Sequence, residues 1–251
     1  MAARIEGAPT IPDDSFIGVS NVRLGRVEDS KAITELVNTA FIKDTFFKKP
    51  DYYMRMKEDG KTALEVILDT KSDFLVYEEE DNNELLGCIK VDLDETYLHS
   101  SQRNHFSGIE NVTKAIPSTE NKYSEHKMNL HEPNDFKKNK NYSEVLENKN
   151  IYEASFGMLS VPERNGGRGI GSTLVNAMER YVVRNADAFN LKVINIKMPL
   201  ISLRTDLFSF YEKRGYFFWK ETCLCPDDTP MVLKQYEAEI RFLWYQKTIE
   251  K

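Results

Sequence analysis

The sequence has few cysteines and no long apolar run. Its three cysteines, Cys88, Cys223 and Cys225, are too few for a disulfide framework and favour a reducing compartment. No window approaches the roughly 18 apolar residues of a membrane span. Residues 1–15 also lack the apolar region of a secretory signal. We therefore expect the protein in the cytoplasm, with the nucleus as an alternative, and without a membrane partner.

The chain also lacks the basic balance of a nucleic-acid-binding protein. It has 34 Lys and Arg residues against 40 Asp and Glu, which gives a net charge of −6. Nucleic acid is therefore not expected as a partner, since phosphate backbones bind basic surfaces. Hydrophobic residues make up 41% of the 251 residues, which is enough for the core of a folded domain.

Composition divides the chain into regions. Residues 1–20 contain Gly and Pro and little periodicity, so we expect a flexible leader. Residues 21–235 show the strand and helix patterns of one α/β domain, interrupted at 95–150 by a stretch poor in Val, Ile and Leu. We interpret 95–150 as a polar, partly disordered insertion. Residues 236–251 are expected to form a tail, a terminal helix or strand that packs on the body.

The insertion holds every histidine of the chain, and their spacing matches no zinc-site pattern. We interpret them as solvated loop residues and expect no metal. Cys223-x-Cys225 has no second cysteine pair and is not expected to bind metal either. The four histidines are His99, His105, His126 and His131.

Hydrophobic periodicity predicts a central sheet flanked by helices. A strand at 21–27 precedes an amphipathic helix with apolar positions from Ala32 to Phe41, and a strand hairpin follows at 73–94. After the insertion, an apolar strand at 154–161 leads into a helix at 169–184. Further strands are predicted at 191–198, 216–219 and 230–234, with a short helix at 205–213.

The segment SVPERNGGRGIGS (160–172) joins the strand at 154–161 to the helix at 169–184 through a glycine-rich turn. Glycines let backbone N–H groups approach a ligand closely, and the first turn of a helix offers N–H donors and a partial positive charge. This combination favours an anion, above all a pyrophosphate. A turn with only a structural role is the alternative.

Two common phosphate-binding patterns do not fit the turn. The dinucleotide pattern G-x-G-x-x-G matches at Gly169 and Gly171 but has Leu174 at its third position. The P-loop pattern fails because no Gly-Lys-Ser/Thr follows. A Rossmann or P-loop enzyme is therefore not favoured.

From Ser155 to Thr222 the chain resembles the GNAT superfamily of N-acetyltransferases. In that family a strand ending in apolar-x-Val leads into Q/R-x-x-G-x-G/A and a long helix. Here Gly169 and Gly171 match the motif glycines, whereas Gly166 occupies the position of Gln or Arg. Either Arg164 or Arg168 would then supply the polar contact to phosphate, or this chain lacks that contact. The segments GMLSV, RTDL and YEKRGY also match patterns of some microbial members.

The resemblance implies acetyl transfer from acetyl-CoA to an amine. It implies a single GNAT-like domain with a central mixed β-sheet flanked by helices, and with the polar insertion before the cofactor-binding strand. The glycine-loop strand and the next strand would splay apart around the pantetheine arm, which would pair with main-chain groups of the first strand. The implied cofactor-binding residues are Leu159, Val161, Arg164, Gly166, Gly167, Arg168, Gly169, Ile170, Gly171, Ser172 and Asn195.

The resemblance also implies catalytic residues for direct transfer in a ternary complex. Tyr211 stands at the position of the family's general-acid tyrosine, which protonates the departing CoA thiolate. Glu153 is the candidate base, acting through water because it lies two residues earlier on its strand than expected. Glu221, Asp92 and Asp94 are further carboxylates among which the sequence does not choose.

The sequence is compatible with two functions. The leading one is an N-acetyltransferase for a small-molecule amine or a peptide amine. The alternative is a non-catalytic CoA-binding or protein-interaction module on the same fold, which the Gly166 departure favours. The sequence does not fix the oligomeric state.

Overall fold

Seven strands and four helices form in the part of the chain that the computed structural model describes. Those residues are 17–42, 44, 46, 56, 59–93, 151–223, 232–236 and 240–251. The helices are α1 (Ser30–Phe41), α2 (Lys61–Leu68), α3 (Ile170–Ala188) and α4 (Phe208–Glu212). The strands are β1 (Val22–Leu24), β2 (Ser72–Glu78), β3 (Leu85–Asp92), β4 (Ile151–Ser160), β5 (Val193–Ile201), β6 (Phe217–Cys223) and β7 (Arg241–Glu250).

All seven strands belong to one sheet, in the order β1-β2-β3-β4-β5-β7-β6. Neighbouring strands are antiparallel except β4 and β5, which run parallel. A parallel pair needs a crossover connection, and α3 lies in that connection. The predicted fold class, a single α/β domain with a central mixed sheet flanked by helices, is confirmed.

Strands β4 and β5 pair only over their first halves. The parallel register runs from Ile151↔Val193 to Ser155↔Lys197. Beyond it, β4 stays paired with β3 up to Ser160, and β5 stays paired with β7 up to Ile201. The two strands therefore separate into a fork, which we define as the gap between residues 156–160 of β4 and 198–201 of β5.

A bulge bends β4 inside the fork. Cys88 pairs with Ser160 and Lys90 with Gly157, so β4 has one residue more than β3 between these pairs. Met158 adopts a positive φ of 49° there, and the Ser160 hydroxyl donates a hydrogen bond to the Met158 carbonyl at 3.0 Å. Bulges re-aim the backbone of one strand, which changes the direction of its N–H and C=O groups.

Helices cover both faces of the sheet. On β2, Leu75 packs in the core under α3, whereas Phe74 and Val76 pack against α1 and α2. This alternation follows from the two-residue period of a strand. The apolar stripe of α3 is fully buried, as its three- and four-residue spacing predicts: Ile170, Leu174, Val175, Met178 and Val182 are at most 2% exposed.

Residues on both sides of the predicted body at 21–235 take part in the fold. Ile17, within the predicted leader, is fully buried, and the Gly18 carbonyl accepts a hydrogen bond from Arg180 at 2.8 Å. The predicted tail contains β7, which lies between β5 and β6 inside the sheet. Residues 1–16 of the predicted leader and the whole insertion at 95–150 lie outside the described residues. In the part of the chain that is described, no helix combines the length and the apolar character needed to cross a membrane.

Gly87 lets β3 approach the start of α3. A Cβ at this position would lie 3.0 Å from the Ser160 carbonyl oxygen and 3.1 Å from Ile170 Cγ2. We expect Gly87→Ala to lower the free energy of unfolding by roughly 1–3 kcal/mol, because backbone and core must shift. Urea unfolding measures this change. Gly157→Ala is the matched control, since a Cβ there meets nothing within 4 Å and should cause no loss. Equal stability of Gly87→Ala and wild type would contradict this packing.

Candidate active site

The glycine turn connects the open end of the fork to α3. After β4 the chain makes a short 3-10 turn, Glu163–Asn165, and then passes through Gly166 to Gly169. Gly167 and Gly169 have φ values of +76° and +80°, which side chains other than glycine rarely adopt. A Cβ at either position would meet nothing within 4 Å, so the backbone here faces open space that a ligand can occupy.

Gly169 is the N-cap of α3 and has no side chain that could cap the helix. The first intrahelical bond runs from the Thr173 N–H to the Gly169 carbonyl at 3.0 Å. The N–H groups of Ile170, Gly171 and Ser172 therefore precede the helical hydrogen-bond ladder. Together with the positive end of the helix dipole, they suit an anion.

Arg164 and Arg168, the predicted phosphate contacts, face carboxylates of the loop between β2 and β3. Arg168 Nη2 lies 2.6 Å from Glu79 Oε1, and Arg164 Nη2 lies 3.4 Å from Glu84 Oε1. These pairs attach the glycine turn to the β2–β3 loop, and the carboxylates compensate the arginine charges.

Arg214, just after α4, contacts the first turn of α3 and was given no role by the sequence analysis. One amino group donates to the Phe210 carbonyl at 2.5 Å, and the other donates to the Ser172 hydroxyl. The guanidinium carbon lies 3.7 Å from the centre of the Phe210 ring. The basic residue three positions after Tyr211 in YEKRGY was the available sequence signal, but only the fold brings it to α3.

Tyr211 lies on α4, next to the fork. Its ring centre is 6.0 Å from that of Phe156, the first β4 residue beyond the paired segment, and 6.1 Å from that of Tyr216. The side chain is only 3% exposed. Burial raises the pKa of the Tyr211 hydroxyl well above its ordinary value, although the charges of Arg204 and Arg214 act in the opposite direction. The hydroxyl is therefore protonated at neutral pH and available as a proton donor.

Leu159, near the end of β4, and Val161, just after β4, are both half-buried against the main core. Ser160 between them is fully buried. It also hydrogen-bonds to Cys88, but burial dominates and raises the pKa of that thiol to about 12, so Cys88 is not a nucleophile at neutral pH.

Glu153 and Asn195 lie opposite each other in the paired part of β4 and β5. The Asn195 amide donates to Glu153 Oε1 at 2.9 Å and its oxygen accepts from the Thr248 hydroxyl at 2.8 Å, while Lys197 forms an ion pair with Glu153. On β5, Asn195 and Lys197 alternate with Ile194, which is buried in the core under α3. Asn195 and Lys197 therefore point to the opposite face of the sheet, away from α3.

The register also separates Asn195 from the glycine turn. It is level with Glu153, seven residues before Ser160, a distance of more than about 20 Å along the strand. Both residues lie two positions before the last β4–β5 pair, so they are close to the closed end of the fork and far from the turn.

The other carboxylates considered as bases have partners elsewhere. Asp92 accepts from Lys90 at 2.6 Å and from the Ser72 hydroxyl at 2.5 Å, and Glu221 lies 3.5 Å from Arg241. Asp94 lies outside the described residues, as do Cys225 and the four histidines. Among the residues that are described, no group of three or more His, Cys, Asp or Glu side chains could hold a metal ion.

Comparisons with known proteins find structural similarity only. No family model matches the chain, and no curated protein matches it. An N-acetyltransferase from Staphylococcus aureus is 15% identical, with 90% of this chain and 95% of that chain covered and a TM-score of 0.48. An acetyltransferase of the GNAT family from Streptococcus pneumoniae is 11% identical, with 91% and 98% covered and a TM-score of 0.46. A putative acetyltransferase from Salmonella typhimurium, solved with acetyl-CoA, is 15% identical, with 92% and 94% covered and a TM-score of 0.47. The family named for the second structure is the one that the sequence motifs resemble.

Buried tyrosines predict a loss of stability in alkaline solution. Burial raises the hydroxyl pKa of Tyr211, and also those of Tyr181 and Tyr216, above the unfolded value of about 10. Each contributes stability that is complete below pH 10 and is lost as the pH rises further. We expect Tyr211→Phe to reduce the decline of unfolding free energy above pH 10 by up to about 1.4 kcal/mol per pH unit.

Urea unfolding of wild type and Tyr211→Phe between pH 9 and pH 11 measures this slope. Because Tyr181 and Tyr216 still titrate in the variant, its slope should be shallower than that of wild type and not zero. Identical slopes in the two proteins would show that ionisation of Tyr211 does not lower the free energy of unfolding, which would contradict the prediction.

Proposed function

We propose that this chain is an N-acetyltransferase of the GNAT superfamily that moves an acetyl group from acetyl-CoA to an amine. The observation that carries the proposal is the fork between β4 and β5, which opens at the glycine turn and has Tyr211 beside it. Sheet groups left unpaired by a neighbouring strand are available for a ligand in extended conformation. An arm that pairs with residues 156–160 would connect an anion at α3 to a reaction centre at Tyr211.

The glycine turn is the proposed binding site for the diphosphate of acetyl-CoA. Main-chain N–H groups of residues 166–172, which include Gly167, Gly169 and Ser172, would donate to phosphate oxygens. Leu159 and Val161 would contact the pantetheine arm through main-chain groups along β4. Asn195, close to the closed end of the fork, is proposed to act near the acetyl group and not at the phosphates.

Transfer requires a C–N bond to form while the C–S bond of the thioester breaks. Backbone N–H groups near the Met158 bulge are proposed to stabilise the negative charge that develops on the acetyl oxygen. Tyr211 is proposed to donate its proton to the departing thiolate. The hydroxyl is protonated at neutral pH, as this role requires.

The attacking amine must be uncharged, and a free alkyl amine has a pKa of about 10. We propose that Glu153 accepts the amine proton through water, since it lies near the closed end of the fork and is 39% exposed. The acceptor is proposed to be a small-molecule amine or a peptide amine. A net charge of −6 favours a cationic acceptor through long-range attraction.

A non-catalytic CoA-binding module is the second candidate. The motif position for Gln or Arg is Gly166, and Arg164 and Arg168 already pair with Glu84 and Glu79. Such a module would bind the cofactor without turning over an amine, so turnover distinguishes the two candidates.

We expect Tyr211→Phe to lower the rate constant of acetyl transfer by about 10²–10⁴-fold, because the thiolate loses its proton donor. Acetyl-CoA binding should remain, since the ring and its packing are kept. Release of free CoA with a panel of small amines, lysine peptides and protein N-termini measures the rate. The thermal shift caused by acetyl-CoA measures binding; a hundredfold excess over Kd stabilises the native state by about 2.7 kcal/mol.

Tyr236→Phe is the matched control, because the Tyr236 ring packs on Phe46 at 6.5 Å, in a satellite core separate from the main core that contains Tyr211. Its turnover should stay within about twofold of wild type. Turnover by Tyr211→Phe at the wild-type rate would remove Tyr211 from the mechanism. Binding without turnover in wild type would support the module, and no thermal shift at millimolar acetyl-CoA would overturn both candidates.

A further inference from the structure

Arg214 holds a positive charge at the positive end of a helix. Its guanidinium donates to the hydroxyl of Ser172, the third residue of α3. The N-terminus of a helix of 19 residues has a partial positive charge and stabilises anions, whereas cations are favoured at the other end. The electrostatic cost of this placement is removed when an anion lies between the guanidinium and the first-turn N–H groups.

Arg214 differs from the other arginines near the glycine turn. Arg164 and Arg168 each have a glutamate partner on the β2–β3 loop. Among the described residues, Arg214 has no carboxylate within ion-pair distance; it donates to the Phe210 carbonyl and to the Ser172 hydroxyl. Of the three arginines Arg164, Arg168 and Arg214, Arg214 is therefore the one without a carboxylate partner among the described residues.

The position of Arg214 is also fixed in advance of binding. The Phe210 carbonyl holds one amino group at 2.5 Å, and the Phe210 ring stacks on the guanidinium at 3.7 Å. A guanidinium has five N–H donors, so these contacts leave donors for a phosphate oxygen. Gly171, in the same helical turn, has Phe210 as its neighbour, which places the stack directly beside the first turn of α3.

We propose that Arg214 binds the diphosphate of acetyl-CoA, replacing the Gln or Arg that the glycine turn lacks at Gly166. The inference rests on the proposed function and adds to it the residue that compensates the phosphate charge. Arg214 reaches the site from the segment after α4, whereas Arg164 and Arg168 are paired with the β2–β3 loop. The anion would therefore connect the first turn of α3 to the helix that holds Tyr211.

The test compares Arg214→Gln with wild type in acetyl-CoA binding, by titration calorimetry. A charge-assisted hydrogen bond in a half-buried site predicts a Kd raised about 10- to 100-fold. The same titration with acetyl-3′-dephospho-CoA, which retains the diphosphate and lacks the 3′-phosphate, should show the same factor. Lys213→Gln removes the same charge from the adjacent, exposed position and should change Kd by less than about twofold.

Each outcome decides the proposal. Loss of affinity for acetyl-CoA but not for the dephospho compound would assign Arg214 to the 3′-phosphate and overturn the diphosphate contact. Equal Kd values for wild type and Arg214→Gln, with both proteins folded by circular dichroism, would overturn any phosphate role while leaving the proposed function intact. A wild-type chain that binds neither compound would overturn the proposed function, and the Arg214 contact with it.

Discussion

The separation of β4 from β5 is the constraint on which the rest of the structure depends. Five residue pairs hold the two parallel strands together, and beyond Ser155 and Lys197 each strand follows its other neighbour. The helix α3 crosses over between the two strands, so its N-terminus must lie where β4 ends. The glycine turn, the fork and the positive end of α3 therefore meet at one place because of topology, before any side chain contributes.

Charge around the glycine turn is distributed unevenly by the elements that border it. The β2–β3 loop supplies Glu79 and Glu84, which compensate Arg168 and Arg164. The segment after α4 supplies Arg214 without a described carboxylate partner. The side of the turn that faces α4 is therefore positive, and Tyr211 lies on the same helix. Tyr211 on α4 and Arg214, two residues after the end of α4, thus connect the proposed proton donor to the proposed phosphate contact.

Much of the fold and part of the site could be predicted from the sequence. The burial of Ile170, Leu174 and Met178 followed from their spacing, and the turn at Gly167 and Gly169 followed from glycine's conformational freedom. The insertion of β7 between β5 and β6 was not predicted, because strand order depends on long-range pairing that local patterns do not encode. The contact of Arg214 with Ser172 was missed for the same reason, since 42 residues separate them.

The central claim is that the fork and the glycine turn together bind acetyl-CoA. Hydrogen–deuterium exchange of the whole chain, with and without acetyl-CoA, tests it most directly, because N–H groups that donate to a ligand exchange slowly. We predict slower exchange in peptides that cover residues 156–172 when acetyl-CoA is bound, and unchanged exchange in β2, which lies two strands away from the fork. Slower exchange elsewhere in the chain, with residues 156–172 unchanged, would contradict the account.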